Sequence, residues 1–314
     1  MTTHSQNNKR RCATFFTAAL LMLCSPTFTQ ETSEEATQPF PLEELKGFTQ
    51  TYYYSPGREE RAKSIATFME NSGNYFQKEI KFTPKTILYI LAPEHWKDFL
   101  PKPLHDVYGF AHNIDHIHLA VATDDNDFWR SFLPPPDQLP HPLAAQVKKA
   151  YGKPDGSHSM MPFFDLLALH EMGHSYHAQA GLKMHRKWMG ELFVNIMLHT
   201  YVAEKQPELL LALETLPNMV VGAGTAEYQY TNLEDFERLY APGMRPKNYG
   251  WYQCRFHLAS RDIYNSGGKS VLKKLWKALK KHQEEMTDEE FASMLKKEVH
   301  PSVANVYLNW NKTH

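Results

Sequence analysis

One apolar stretch, bounded by Pro162 and Gly181, constrains the fold more than any other feature of the sequence. A proline before and a glycine after such a run are the usual punctuation of a helix. In its middle lie His170-Glu171-x-x-His174. Residues four apart share one face of a helix, so both imidazoles can reach a single metal ion while Glu171 lies beside it. An unpaired His–Glu–His cluster would be costly to bury, so the stretch predicts a metal-binding helix.

A catalytic zinc site needs a third protein ligand and one open coordination position. The metzincin arrangement would require a glycine at position 177 and a histidine at position 180, where this chain has His177 and Ala180. The next predicted helix instead supplies Glu191 among apolar neighbours. Asn195 lies one helical turn beyond Glu191 and can hydrogen-bond a ligating histidine. Two further residues of the same helix are alternative ligands: His199 and Glu204.

The combination of His170-Glu171-x-x-His174 with Trp188-x-x-Glu191 resembles the gluzincins, the clan of thermolysin and the membrane-alanyl-type aminopeptidases. The resemblance implies one Zn²⁺ per chain, with His170, His174 and Glu191 as its ligands. It also implies that Glu171 is the general base of a zinc metallopeptidase, a hydrolase that acts on a peptide or protein substrate. The distance along the chain from His174 to Glu191 is a little shorter than is usual in the clan.

The resemblance carries an expectation for the fold as well. The predicted order of helices and strands is mixed, and the fold class is α+β. A zincin-like fold would place a small mixed sheet over the active-site helix, with 116–122 as the edge strand that pairs with an extended substrate. A mostly helical C-terminal half would follow. Asn195 stands where thermolysin-like members carry an aspartate. The Gly-x-Met-Glu-Asn motif of the aminopeptidases is absent before His170, so exopeptidase and endopeptidase both stay open.

The chemistry also needs a donor for the oxyanion of the tetrahedral intermediate. Gluzincins provide a tyrosine or histidine from a helix that follows the third ligand. Tyr252 and Tyr249 open such a predicted helix and are the candidates, with His257 as a third. In the mechanism that the resemblance implies, Glu171 takes a proton from water and returns it to the leaving amine, while a tyrosine hydroxyl stabilises the oxyanion.

The beginning of the chain predicts export. Basic residues up to Arg11 are followed by an apolar run at 12–24, which is too short to span a bilayer and is typical of a secretory signal. The protein would then be secreted, periplasmic or attached to the cell envelope, and lipid anchoring at Cys24 is the alternative. The predicted divisions are a signal peptide at 1–29, a polar tether at 30–56, an α/β part with a Pro-rich loop at 57–161, and a helical part with the zinc site at 162–314.

Composition excludes several classes of protein. The net charge of -1 over 314 residues offers no basic excess for a nucleic-acid partner. A hydrophobic content of 42% excludes disorder of the whole chain. No apolar run approaches the length of a bilayer span, so no transmembrane span is expected in the mature chain. Beyond the signal, Cys254 is the only cysteine, so no intrachain disulfide can form. We interpret Cys254 as a buried, small apolar residue.

Weaker signals favour ordinary surface and helix features. Thr287 followed by Glu290 has the form of a capping box and predicts a helix start. The basic amphipathic segment 269–281 could touch an anionic membrane, but a surface helix docked on the core is favoured. A cluster of three acidic residues is interpreted as a solvated turn rather than a calcium site: Asp124, Asp125 and Asp127.

Two other functional classes compete with an enzyme. In the first, zinc is kept but catalysis is lost, which leaves a peptide-recognition or envelope-scaffold module. The intact Glu171 argues against it, because a retired enzyme has no physical need for the base. In the second, the chain is a metal-free helical interaction protein. Neither the natural substrate nor the oligomeric state follows from the sequence.

Overall fold

The computed structural model describes residues 42–102, 106–240 and 244–312, so the predicted signal segment and Cys24 lie outside the described residues. Within these ranges the fold is mixed α and β, with a small sheet first and helices after it. The strands are β1 (Glu43–Leu45), β2 (Thr51–Tyr54), β3 (Ile87–Leu91), β4 (His112–Asn113) and β5 (His118–Ala122).

The helices of the first part surround these strands along the chain. They are α1 (Glu59–Ile80), α2 (Pro93–Phe99), α3 (Asp127–Arg130), α4 (His141–Tyr151) and α5 (Met161–Phe164). The described part of the chain after them is almost entirely helical. Its helices are α6 (Leu167–Gln179), α7 (Lys187–Lys205), α8 (Leu210–Gly222), α9 (Leu233–Leu239), α10 (Pro246–Gly267), α11 (Ser270–Lys281), α12 (Asp288–Met294) and α13 (Pro301–Leu308).

The sheet has the strand order β1-β2-β3-β5-β4. Strands β2, β3 and β5 are parallel, whereas β1 and β4 pair antiparallel at the two edges. The prediction that 116–122 forms the edge strand is therefore wrong, because β5 lies between β3 and β4. Leu119–Ala122 are all buried, as expected of a central strand covered on both faces. The edge on this side is β4.

The predicted polar tether at 30–56 is wrong over its described part. Residues 43–45 and 51–54 form β1 and β2, and Tyr54 pairs with Ile90 of β3. Tyr52 and Tyr54 are 1% and 5% exposed. Since successive strand residues point to opposite faces, these two rings enter the same core, and their burial holds the segment on the sheet.

Both faces of the sheet are covered by apolar side chains. Alternate residues of β3 point to opposite sides: Leu88 and Ile90 join a large cluster with α1, α6, α7 and α10, while Tyr89 and Leu91 join a smaller one. The smaller cluster includes Trp129 and other residues of the Pro-rich loop. That loop holds α3 and α4, and it packs on the sheet face opposite α6.

The predicted metal-binding helix is interrupted near its start. Helix α5 ends at Phe164 and α6 begins at Leu167, with a tight turn at Asp165 between them. Helix α7 packs closely on α6 at Gly173. A Cβ atom placed on Gly173 would lie 2.8 Å from the Val194 Cβ atom of α7. The missing side chain of this glycine therefore sets how near the two helices approach.

The weaker sequence signals can be compared with the described residues. Helix α11 buries Leu275 and Trp276 in the core and exposes its lysines, in agreement with a docked surface helix. Asp124 and Asp125 form ion pairs with Arg58 and with Lys153. Within the described ranges, no helix is both long enough and apolar enough to cross a membrane.

Candidate metal centre

Two consecutive helices bring three potential metal ligands together. His170 and His174 project from one face of α6, and Glu191 projects from the first part of α7. One ligand atom from each residue lies within 4.8 Å of the other two. The Glu191 Oε2 atom is 3.4 Å from His170 Nε2 and 3.8 Å from His174 Nε2. The predicted trio is therefore a buried group that could hold a metal ion.

The outer nitrogens of both imidazoles have partners that orient the rings. His170 Nδ1 lies 3.3 Å from Asn195 Oδ1, so an Nδ1–H group donates to the amide oxygen. His174 Nδ1 lies 3.2 Å from His177 Nε2. With the proton on Nδ1, each neutral ring would present its Nε2 lone pair to a metal ion held beside Glu191. Two imidazole nitrogens and one carboxylate oxygen form a donor set typical of catalytic zinc, so the residues fit that ion.

The Glu191 carboxylate is 1% exposed and is held by three side chains besides the histidines. The Tyr240 hydroxyl donates to Oε1 at 2.7 Å, and the Tyr249 hydroxyl lies 3.3 Å from the same atom. Gln253 Nε2 donates to Oε2 at 2.8 Å. Burial alone would raise the pKa of Glu191, but the charge and hydrogen bond of His170 and the Tyr240 hydrogen bond lower it. The carboxylate therefore stays charged and available as a ligand.

The pKa values of the two imidazoles shift in opposite directions. Burial lowers the pKa of His174 to about 4, so this ring is neutral at ordinary pH and can donate its lone pair to a metal. Burial also disfavours the charged form of His170, but the hydrogen bond and negative charge of Glu191 outweigh it and raise the pKa. The tyrosine hydroxyls stay protonated, because burial and the charge of Glu191 raise the pKa of Tyr240 and of Tyr249 well above 10.

Glu171 lies beside the trio on α6 and contacts the edge strand. Its Oε2 atom accepts the backbone N–H of Asn113 at 2.9 Å. The Asn113 side chain reinforces this contact, since its Nδ2 donates to the Glu171 carbonyl oxygen at 2.8 Å and to Ser175 Oγ at 2.9 Å. Burial raises the pKa of Glu171 to about 7. A bound cation would oppose this shift by favouring the carboxylate.

Not every predicted residue reaches the site. The Tyr252 hydroxyl donates to the Asn232 carbonyl oxygen at 2.6 Å, and its ring stacks on Trp310, so the geometry does not support its role as an oxyanion donor. The alternative ligand Glu204 accepts a hydrogen bond from Tyr264 at 2.6 Å. His199 packs against the same tyrosine ring.

The third oxyanion candidate lies near the trio, next to one of its histidines. The ring of His257 is 6.3 Å from the ring of His170 and 5.8 Å from that of Phe163. Burial lowers the pKa of His257 to about 3, so the ring is neutral.

Several residues of the site were not identified from the sequence. Gln253 had a usable signal, since it lies four residues after Tyr249 and therefore on the same face of α10. His177 likewise follows His174 by three residues on α6. Tyr240 and Asn113 had none, because they come from separate elements whose approach to Glu191 and Glu171 depends on the whole fold.

Within the residues that the structure describes, the trio of His170, His174 and Glu191 is the one cluster of three metal-ligating side chains close enough to share an ion. A scan against protein-family models and a search of curated proteins found no match to the chain.

Proposed function

We propose that the protein is a zinc-dependent peptidase, in which His170, His174 and Glu191 hold the ion and Glu171 is the general base. The observation that carries the proposal is the convergence of the three ligand atoms within 4.8 Å, beside the half-buried Glu171 carboxylate, which the Asn113 N–H already orients. A structural zinc site would normally have four protein ligands, whereas this trio leaves a position for a reactant.

A zinc ion bound at this trio would supply Lewis acidity, which polarises a carbonyl group and makes water a better nucleophile near neutral pH. The chain's part in the reaction is to move protons through a carboxylate whose orientation is fixed. Asn113 N–H occupies Glu171 Oε2, so the other carboxylate oxygen, Oε1, is the atom that takes the proton from the attacking water. The same oxygen then returns the proton to the leaving amine.

Tyr249 is our candidate donor to the oxyanion. Both Tyr240 and Tyr249 point their hydroxyls at Glu191 Oε1, but the Tyr240 bond is short at 2.7 Å and the Tyr249 bond is long at 3.3 Å. The shorter bond suits a residue that holds the ligand in place. The longer one leaves Tyr249 free to turn its protonated hydroxyl toward a developing negative charge.

Peptide bonds are the proposed substrate because of the resemblance to gluzincins and the position of β4. This edge strand lies against α6, and its backbone contacts Glu171 directly. An extended peptide is the substrate shape that a sheet edge can align by backbone hydrogen bonds. The predicted signal segment would make the protein an exported enzyme.

The test combines zinc content with cleavage of a peptide library by four purified proteins. Wild type should carry one zinc per chain and cleave peptides. Glu171→Gln should keep the zinc and lose cleavage by about 10²- to 10⁴-fold, since only the base is removed. His174→Ala should lose both. Glu204→Gln is the matched control, because this helix glutamate bonds Tyr264 instead, and it should behave as wild type.

Two outcomes would contradict the proposal. Equal cleavage by wild type and Glu171→Gln would remove the base from the mechanism. One zinc per chain without cleavage of any peptide would favour the module that binds zinc and recognises peptides without hydrolysing them.

A further inference from the structure

The hairpin that joins β4 to β5, residues 113–118, is fastened along one side of α6. Glu171, Ser175 and Gln179 follow each other at four-residue intervals, so they form a single stripe on the helix. Asn113 bonds the first two of them. Gln179 Nε2 donates to the His116 carbonyl oxygen at 2.6 Å. Asn113 and His116 therefore fasten the hairpin to α6 at two points, along a stripe that runs parallel to His170 and His174 on the same helix.

The hairpin region contains three histidines, and their surroundings differ. His112 is 5% exposed, and its ring packs near Trp96 in the core. His118 bonds Asp115 at 2.8 Å and stacks on a tyrosine ring. His116 is exposed, and its ring has no hydrogen-bond partner among the described residues. His112 Nε2 also has no partner, but it is buried, so His116 is the one of the three whose imidazole is both exposed and without a hydrogen-bond partner.

The exposed ring of His116 also lies near the candidate metal centre. Its ring lies 6.3 Å from the ring of His177, which in turn lies 5.4 Å from the ring of His174. The backbone of His116 has φ 68°, in the left-handed region that side-chain-bearing residues rarely adopt. Asn113 Oδ1 accepts the His116 N–H at 2.7 Å and helps to hold this conformation. A glycine would adopt it without strain, so the imidazole is kept there at a conformational cost.

We propose that the 113–118 hairpin is one wall of the substrate cleft and that His116 is a substrate-binding residue on it, donating a hydrogen bond to a carbonyl oxygen of the bound peptide. This inference rests on the proposed peptidase function and adds a substrate subsite to it. Asn113 and Gln179 are positioning residues, since they act only by holding the hairpin against α6.

The position of His116 sets the length of substrate that it can touch. His177, whose ring neighbours that of His116, lies six residues beyond Glu171, a rise of about 9 Å along the helix. An extended peptide covers this distance in about three residues. His116 therefore contacts the substrate about three residues from the reacting bond, and the protein prefers peptides long enough to reach it.

The test measures the binding of two metal-directed probes to the zinc-loaded full chain. Acetohydroxamate is too short to reach His116, whereas a tetra-alanine hydroxamate spans the distance. His116→Gly should weaken binding of the long probe about fivefold to tenfold and leave the short probe unchanged, because one hydrogen bond is lost. His116→Asn should restore most of the binding, since asparagine tolerates positive φ and keeps an N–H donor. His141→Asn, at an exposed histidine on α4, is the matched control.

The possible outcomes separate the two proposals. If His116→Gly keeps its zinc and binds the long probe as tightly as wild type does, the role of His116 is overturned and the peptidase proposal stays intact. The role of His116 would also be overturned if both variants, His116→Gly and His116→Asn, bound both probes more weakly and to the same extent. That pattern would indicate a damaged hairpin. Failure of wild type to bind even the short probe would reject the metal site, and the subsite with it.

Discussion

At the scale of single residues, the site is organised around one buried carboxylate. Glu191 presents Oε2 to two imidazoles and to Gln253, while Oε1 accepts the Tyr240 hydroxyl. A carboxylate held on both oxygens would not rotate away from a bound ion. Residues that hold metal ligands in this way commonly change metal affinity by 10- to 100-fold when they are removed.

Tyr240→Phe should therefore weaken zinc affinity by about tenfold with little change in secondary structure, because it deletes one hydrogen bond to Glu191. Tyr252→Phe is the matched control. It removes a hydroxyl that bonds the Asn232 carbonyl oxygen, so zinc affinity should not change. Competition with a chromophoric chelator measures both values. Equal affinities for Tyr240→Phe and wild type would show that the tyrosine does not position the ligand.

The sequence allowed the prediction of those site residues that are neighbours on a helix. The pair His170 and His174 follows from the four-residue repeat, and Asn195 follows from its place one turn after Glu191. Tyr240 lies 49 residues from Glu191 along the chain, and no local pattern connects them. Tyr252 was predicted as an oxyanion donor on the same helix as Tyr249. It lies three residues further along that helix, and its hydroxyl bonds the Asn232 carbonyl oxygen at the start of α9 instead.

At the scale of elements, the packing of α6 on α7 decides whether the ligands meet. Gly173→Ala would place a methyl group 2.8 Å from Val194, so the two helices must separate. We expect a loss of about 1–3 kcal/mol in the free energy of unfolding, together with weaker zinc binding. Urea unfolding and metal competition measure the two effects.

Gly190 supplies the control on the same pair of helices. The nearest atom to a Cβ at this position is Met184 Cγ, at 3.9 Å, so an added methyl group fits. Gly190→Ala should be neutral or should stabilise α7 by about 0.5–1 kcal/mol, because alanine is the better helix former. A Gly173→Ala protein as stable as Gly190→Ala would mean that the helices do not need this close approach.

The longer elements were predictable and the shortest were not. The segment bounded by Pro162 and Gly181 contains α6, the amphipathic segment 269–281 contains α11, and Thr287 with Glu290 forms the capping box that its spacing indicated. Strands β1, β2 and β4 have two to four residues each, so their sequences carry too little periodicity to identify them. The edge position of β4 depends on strand order, which is a property of the assembled sheet.

At the scale of the whole molecule, buried histidines make stability depend on pH. Burial lowers the pKa of His112 and of His199 to about 4, from 6.5. The folded protein keeps both rings neutral, while the unfolded chain protonates them below pH 6.5. Their contribution to stability is thus complete above pH 6.5 and is lost progressively as the pH falls toward 4. At pH 5.5, protonation of each ring in the unfolded chain should lower the free energy of unfolding by about 1.4 kcal/mol.

Urea unfolding at pH 7.5 and 5.5 tests this dependence. His112→Phe replaces an imidazole whose buried Nε2 has no partner with an apolar ring of similar size, next to Trp96. The difference in stability between the two pH values should shrink by about 1.4 kcal/mol in this variant. His141→Gln, at an exposed position, should keep the wild-type difference. An unchanged difference in His112→Phe would show that this ring does not protonate on unfolding.

The arrangement of the ligands along the chain also has a kinetic consequence. All three proposed ligands come from consecutive helices, whereas Asn113 and Tyr240, which bond the proposed base Glu171 and the proposed ligand Glu191, lie 58 and 49 residues from these partners. A short loop is closed at a small entropic cost, so an ion could join α6 to α7 before the sheet and the later helices have assembled. Zinc taken up during synthesis would then act as a cross-link that nucleates folding, and the rest of the chain would build outward from a metal-clamped helical hairpin.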